Sequence, residues 1–366
     1  MTIIIDPSVR WDDRCMRIGI DGRLWNETGV GRYIRSLFLY LPKEQEIVWF
    51  LGKKEYETLE MPSPKWRKVL ADVHWHSLRE QIFMPIIFLR ENLDLLHFPY
   101  FSFPIFYPGR FVVTIHDLIF DHYKTGKWST LPHWLYLIKK ISYHLVNWVS
   151  VFRAQKIFTL SNDAKKELVS HYLADINKIV VTYESGDLED KTKKGKSPTS
   201  KPYLLYVGNA HPHKNVATLI KAAEILKMKL VLLGKDNFFY PRLSKSKYVE
   251  VVGTVPNSKI ADWYRHASAL VTASKMEGFG IPPLEAMSVG CPAIVSDIPV
   301  FHEVYGDAAI YFNQNDPKDI ARVVLATINN KQLVEQQIKK GYQRAAKYSC
   351  EKCVKETYVE YVSSSK

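Results

Sequence analysis

The sequence predicts an α/β protein of two domains, each built around a mostly parallel sheet. Three observations carry this expectation. The chain has 366 residues, a length that suits about two domains. Short apolar runs alternate with helical segments through both halves, and such alternation gives parallel strands with helices over their faces. Between the halves, residues 185–202 turn polar and charged and nearly lose their apolar side chains, which is linker composition.

The elements follow in order. Residues 17–21 read as the first strand, and the loop 22–31 leads into a helix over 32–41. Residues 47–51 form a second strand, 79–90 an apolar-rich helix, and 94–98 and 111–115 two short strands. A long, largely apolar helix spans 131–152. Residues 156–160 form a strand, after which Ser161-Asn162-Asp163 supplies side chains that cap a new helix. Residues 179–182 are the last strand of this half. In the second half, strands at 203–207, 229–233, 248–252, 269–273, 293–296 and 308–312 are joined by helices at 216–226, 258–266, 284–289 and 317–329. The tail, 334–362, reads as helical.

Hydrophobic content of 46% and charged content of 24% are those of a soluble globular protein. The net charge of +12 favours an acidic partner: nucleic acid, an anionic membrane surface or a phosphorylated substrate. No zinc pattern, RNA-binding aromatic motif or basic helix accompanies it, so nucleic acid is not expected. Four cysteines, Cys15, Cys291, Cys350 and Cys353, are too few and too uneven for a disulfide framework, which fits a reducing cytosol. The C-x-x-C of Cys350 and Cys353 has no second pair, and His211 and His213 have no carboxylate beside them, so no metal site is expected. No secretory signal is visible at the start.

Glu277-Gly-Phe-Gly-Ile-Pro-Pro-Leu-Glu285 is the most informative segment. It lies between a strand and a helix, the position where open α/β sheets bind ligands. Glycines allow close backbone approach, proline suits a first helical turn, and a helix start offers amides to an anion. A lone Glu there would be a dipole-complementing or solvated residue. Two carboxylates around one glycine turn favour a functional reading. Three other strand ends draw attention. Gly29 and Gly31, in Thr28-Gly-Val-Gly-Arg-Tyr33, make a backbone nest for phosphate, although no full dinucleotide fingerprint is present. His116 closes Val113-Thr-Ile-His-Asp-Leu118; a single His there is more often structural than catalytic. Lys214, in Tyr206-Val-Gly-Asn209-Ala-His-Pro-His-Lys-Asn215, stands beside a helix start and suits a diphosphate.

The segment from Glu277 through Glu285-Ala-Met-Ser-Val-Gly-Cys-Pro-Ala-Ile-Val-Ser-Asp297 resembles the signature of the retaining glycosyltransferases of family 4, the group 1 glycosyltransferases. The resemblance extends in order from Arg17 to about Phe312. It implies the GT-B fold: two Rossmann-like domains with parallel sheets facing across a cleft. The boundaries it implies are an N-terminal extension over 1–15, since Met16-Arg-Ile-Gly looks like a natural start. An acceptor domain over 16–184 follows, then the linker 185–202, a nucleotide-sugar domain over 203–345, and a C-terminal helix over 346–366 that returns to the first domain. By resemblance Glu277 bonds sugar hydroxyls, Glu285 bonds the ribose and His116 lies beside the transferred sugar, with Asp117 supporting its loop. Lys214 and the backbone of Gly278, Phe279 and Gly280 receive the diphosphate. The loop at Gly29 and Gly31 faces the diphosphate and the acceptor. The Gly253-Thr-Val255-Pro turn holds the base. Many relatives carry an Arg where this chain has Asn209, so the expected charge contact there falls either to another base or to a hydrogen bond from Asn209.

The implied activity is retaining transfer of a hexosyl group, mannosyl first, from a nucleotide-diphosphate sugar to a glycan or lipid-linked acceptor. The resemblance points toward GDP-mannose, and no metal or other cofactor is expected. The alternatives are a sugar-nucleotide epimerase of the same fold, though it would be expected to lack the paired Glu, and last a basic nucleic-acid-binding protein, which only the net charge suggests. The first half is rich in aromatics, with Lys139, Lys140 and Arg153 near Trp134, Tyr136, Tyr143 and Trp148. That stretch reads as a core helix of the first domain, which the residues slightly favour, or as a peripheral contact with an anionic membrane. A cytoplasmic protein, at the inner face of the membrane in the second case, is expected.

Overall fold

The computed structural model describes residues 16–122, 133–188, 195–235, 238–243 and 245–364. The proposed extension over 1–15 and the middle of the expected linker lie outside them. The first half runs β1 (Arg17–Asp21), α1 (Gly29–Tyr40), β2 (Glu46–Leu51), α2 (Lys53–Thr58), β3 (Trp66–Leu70), α3 (Leu78–Leu89), β4 (Leu95–Phe98) and β5 (Phe111–Thr114). It continues with α4 (Ile119–His122), α5 (His133–Arg153), β6 (Ile157–Thr159), α6 (Asn162–Tyr172) and β7 (Ile179–Val181). The second half runs β8 (Tyr203–Val207), α7 (Val216–Leu226), β9 (Lys229–Leu233), β10 (Val249–Gly253), α8 (Asn257–His266) and β11 (Ala269–Thr272). It ends with α9 (Ile281–Ser288), β12 (Ala293–Ser296), α10 (Pro299–Tyr305), β13 (Ile310–Phe312), α11 (Pro317–Ile328), α12 (Lys331–Ala345) and α13 (Cys350–Ser364).

The strands make two sheets, ordered β3-β2-β1-β4-β5-β6-β7 and β10-β9-β8-β11-β12-β13. Neighbours in the second sheet pair in parallel throughout. Parallel sheets covered on both faces need strands that are apolar on both sides. The sequence meets that need: β4, β5, β11 and β12 are buried at every position. Full burial of each such Val, Leu or Phe contributes about 1.5–3 kcal/mol. In the second sheet the chain moves outward from β8 to β10 and then returns to the other side of β8 as β11. The order therefore reverses between β8 and β11, where Ala269 registers with Leu204 and Leu270 with Leu205. A crevice opens beyond the carboxyl ends of the strands at such a reversal.

By their contacts the described residues fall into two units. One draws on Met1–Thr114, Lys139–Ile157 and Thr357–Lys366; the other on Ile115–Ile138 and Phe158–Glu356. In the first unit the Tyr361 hydroxyl of α13 lies 2.5 Å from His97 Nδ1 on β4. The other ring nitrogen of His97 meets Thr114 Oγ1 of β5 at 2.8 Å. Tyr358 of the same helix donates to Gln45 Oε1 at 2.9 Å.

The core-helix reading of the long apolar helix gives way here. In α5 the inward positions are Asn147, Ser150 and Val151, while Ile141, Leu145, Trp148 and Phe152 are 48–71% exposed. Periodicity shows that a stripe exists but not which way it faces. Among the described residues no helix is long and apolar enough to cross a membrane.

Candidate functional site

The site is built where β8 and β11 end. After β8 the chain passes Gly208 and makes a short 3-10 turn, Pro212–Lys214. Gly208 has φ +150°. Asn215 then enters the left-handed region at φ 56° and starts α7. The turn is laced to the loop after β11, because Lys275 N donates to the His213 carbonyl at 2.8 Å. That places Lys214 against Glu277. Its ammonium donates to both carboxylate oxygens, at 2.6 and 2.7 Å. Ser274 Oγ donates to the same carboxylate at 2.7 Å.

Both partners are well covered: the side chains of Lys214 and Glu277 are 21% and 11% exposed. Burial alone would push the Glu277 carboxyl up. Lys214 and the bonds from Lys214 and Ser274 outweigh it and hold the group below its ordinary value. His213 goes the other way: burial, reinforced by Lys214, lowers its imidazole to about 4. It is therefore neutral near pH 7 and leaves Lys214 as the fixed positive charge.

The glycine turn after Glu277 is held from three sides. A Cβ on Gly278 would collide with the backbone carbonyl of His116, so the two chain segments touch main chain to main chain. Ser161 Oγ, which also caps α6 by accepting from Ala164 N at 3.1 Å, donates to the Gly278 carbonyl at 2.9 Å. Tyr305 OH donates to the Gly280 carbonyl at 2.5 Å. Gly280 sits at φ +88° as the cap of α9, a conformation that excludes most side chains. Pro282 and Pro283 fill the first turn of α9, where a missing N–H costs nothing.

Phe279 is 2% exposed and packs with Tyr183 and Tyr348, so only its backbone can meet a ligand. Glu285 lies on α9, 6% exposed, where Tyr264 OH of α8 donates to its Oε2 at 2.6 Å. Asn209 Oδ1 accepts from His211 N at 3.3 Å, and its carbonyl accepts from Tyr206 OH at 2.6 Å. Those bonds anchor the loop, with no charge at that position. Val255 is half-buried beyond the end of β10, next to Gly253, whose φ is +83° and whose carbonyl accepts from Gly234 N at 2.9 Å.

His116 is 9% exposed, with Nδ1 3.9 Å from Glu184 Oε1. Asp117 accepts from Ile119 N at 3.0 Å, and burial raises its carboxyl, with Glu277 adding to the rise. Gly29 and Gly31 belong to the other unit. They open α1, and there a Cβ on Gly31 would collide with the Trp25 carbonyl, while one on Gly29 meets nothing within 4 Å.

The second unit thus gathers Lys214, Glu277, Gly278 and the main chain of His116, with Glu285 anchored separately by Tyr264. Three contributors were not anticipated from sequence. Ser274 stands in the same loop as Glu277 and carries no motif of its own. Tyr264 is one more aromatic on an amphipathic helix. Gly186, assigned to the linker, packs so closely on Leu284 and Glu285 that a Cβ would strike their backbone. Among the described residues no group of three or more His, Cys, Asp or Glu stands together as metal ligands.

The first unit holds a cavity of about 590 Å³ lined by residues that include Arg23, His74, Trp75, Arg79 and Phe83. At its wall the Arg23 guanidinium binds Asp21 and Glu80 at 2.6 and 2.7 Å. Glu80 is fully buried, which raises its carboxyl, while Arg23 pulls it back down.

Comparison with known proteins bears on this geometry. Residues 187–344 match the model of the family described as glycosyl transferases group 1. The O-antigen chain mannosyltransferase RfbU of Salmonella typhimurium is 32% identical over 215 residues, covering 56% of this chain and 57% of that protein. The O-antigen chain mannosyltransferase B of Escherichia coli is 28% identical over 234 residues, covering 58% of this chain and 61% of that protein. The chain so spans about three fifths of the length of these curated relatives. Among solved structures, sucrose-phosphate synthase from Thermosynechococcus elongatus superposes with a TM-score of 0.74 at 15% identity, over 95% of this chain and 98% of that one. HepE of Anabaena, in complex with UDP and glucose, gives 0.71 at 14% identity, over 95% and 100%. At such identities the likeness establishes the fold class, α/β of the GT-B kind. Over residues 187–344, which hold the Lys214–Glu277 pair, the chain is similar to the glycosyl transferases group 1 family.

Proposed function

We propose that this protein transfers a hexosyl group, mannosyl first among the candidates, from a nucleotide-diphosphate sugar to a glycan or lipid-linked acceptor. Retention of configuration and independence from a metal are part of the proposal. The observation that carries it is the covered Lys214–Glu277 pair at the reversal point of the second sheet, next to the Gly278–Gly280 turn. Breaking the bond between the sugar and its diphosphate leaves negative charge on the leaving oxygens and positive character on the sugar ring. Lys214, the amides of Gly278, Phe279 and Gly280 and the start of α9 would take the first charge. Glu277 would hold sugar hydroxyls and Glu285 the ribose. Val255 and Asn209 would border the nucleotide and His116 would face the sugar, and the backbone amides of Gly29 and Gly31 would suit a phosphate. The family match and the two mannosyltransferase relatives support the reaction class. The free thiols Cys291, Cys350 and Cys353 suit a reducing, cytoplasmic setting.

Two measurements test the reading. A thermal-shift screen of nucleotide sugars should show GDP-mannose raising the unfolding midpoint, since a ligand at 100 times its Kd stabilises by about 2.7 kcal/mol. With the donor so identified, Glu277→Gln and Lys214→Ala should each lower transfer by about 100-fold or more while the folded protein persists. Stabilisation by no sugar nucleotide, or near-normal transfer by Glu277→Gln, would overturn the assignment. Unchanged transfer in chelator would agree with the metal-free part, and its loss would refute that part alone.

A further inference from the structure

We infer that the face of the first unit made by α3, the loop 99–110 and α5 docks on an anionic lipid surface. The inference goes beyond the transfer reading and stands apart from it. On α5, Ile141, Leu145, Trp148 and Phe152 recur at intervals of four, three and four residues, the spacing of one helix face. They are 48–71% exposed. On α3, Leu78, Ile82, Ile86 and Leu89 repeat the pattern at 46–85% exposure.

The loop 99–110 joins the two helices into one surface. Gln81 of α3 accepts from Ile105 N at 2.9 Å and donates to the Phe103 carbonyl at 3.3 Å. Arg153 of α5 donates to the carbonyls of Ile105 and Tyr107 at 2.8 and 2.6 Å. The Phe101 and Tyr143 rings meet at 4.9 Å. Phe106, held between these bonds, is 71% exposed. Contiguous apolar surface of this extent marks an interaction site on a soluble protein.

Charge decides the occupant. The segments 78–89, 99–110 and 133–153 contain one carboxylate, Glu80, and it is fully buried against Arg23. Their basic residues include Arg79 on α3 and Lys139 and Lys140 on α5. A second copy of the chain would bring the same positive face and be repelled. A bilayer with acidic headgroups offers both complements: acyl chains for the Trp, Phe, Leu and Ile side chains, and phosphates for the lysines. With lysines interrupting it and no span in length and hydropathy, α5 would lie in the plane of the interface.

The test is flotation of the full chain with vesicles of phosphatidylcholine alone and of phosphatidylcholine with phosphatidylglycerol. The protein should float with the anionic vesicles and stay behind with the neutral ones. The double variant Ile141→Ser with Trp148→Ser, and separately Lys139→Glu with Lys140→Glu, should each lower partitioning by roughly tenfold or more at an unchanged unfolding midpoint. Failure of the wild type to float with anionic lipid would overturn the inference, as would variants that float as well as it does. A dimer in lipid-free solution, seen by light scattering and abolished by the serine variant, would instead make this face a self-interface. None of these results touches donor binding by the second unit, which the thermal-shift screen reads independently.

Discussion

Glu277 is held by two donors, one charged and one neutral, and this is what fixes its geometry before any ligand arrives. Lys214 supplies charge at 2.6 Å and Ser274 direction at 2.7 Å. His213 completes the arrangement by staying neutral. The folded protein keeps its imidazole at about 4 against an ordinary 6.5, so an unfolded chain binds that proton first as the pH falls. The His213 contribution is therefore complete above about pH 6.5 and is lost progressively toward pH 4. Glu277, held below its ordinary 4.5, acts in the same direction lower down, losing its contribution as pH falls through its depressed value. The unfolding midpoint of His213→Gln should accordingly vary less between pH 6.5 and 4 than that of the wild type. An identical pH slope in the two proteins would remove His213 from this account. Lys214 and Glu277 were legible because both follow strand ends and sit beside helix starts. Ser274 and Tyr264 were not, because a hydrogen bond to a carboxylate leaves no pattern along the chain.

At the scale of elements, the boundaries of β8, α7 and β9 were legible to the residue, since apolar runs there end on glycine or polar turns. Two kinds of element were not. β3, Trp66–Leu70, is buried only at Trp66 and carries Arg67 and Lys68, so it lacks the continuous apolar run of an inner strand. α10 has only seven residues, too few for a helical period to declare itself. The glycine turn before α9 was recognised as a turn, but the reason for its first glycine lies elsewhere in the chain. Gly278 is small because the carbonyl of His116 passes where a side chain would be. Gly278→Ala should therefore destabilise by about 1–3 kcal/mol, the usual cost of forcing a methyl into packed main chain. Gly29→Ala, with nothing within 4 Å of the new methyl, should be neutral or slightly stabilising. Urea titration of both variants checks the contrast, and equal effects would show that the turn yields to accommodate the methyl.

For the whole molecule, length and the alternation of strands and helices were enough to anticipate two parallel sheets, whereas the role of the last helix depends on contacts that no local pattern encodes. The segment after Cys350 reads by itself simply as a helix, and only the family resemblance implied a return to the first domain; Tyr361 meets a histidine 264 positions earlier in the chain. Tyr361 and His97 are both fully buried, so their bond forms without competition from water. A buried polar group deprived of its partner costs about 1–3 kcal/mol, against the roughly 1 kcal/mol that a typical bond contributes net. Tyr361→Phe keeps the ring and removes only the hydroxyl that meets His97 Nδ1. It should lower stability by about 1–3 kcal/mol in urea titration, with no change in the slope of the transition. Val359→Ala, on the same helix but 55% exposed, should stay within about 0.5 kcal/mol of the wild type. Were the two variants equal, the Tyr361–His97 bond would contribute nothing to holding the helix. A larger loss for Tyr361→Phe would establish that the chain's end is fastened to β4 by one buried hydrogen bond.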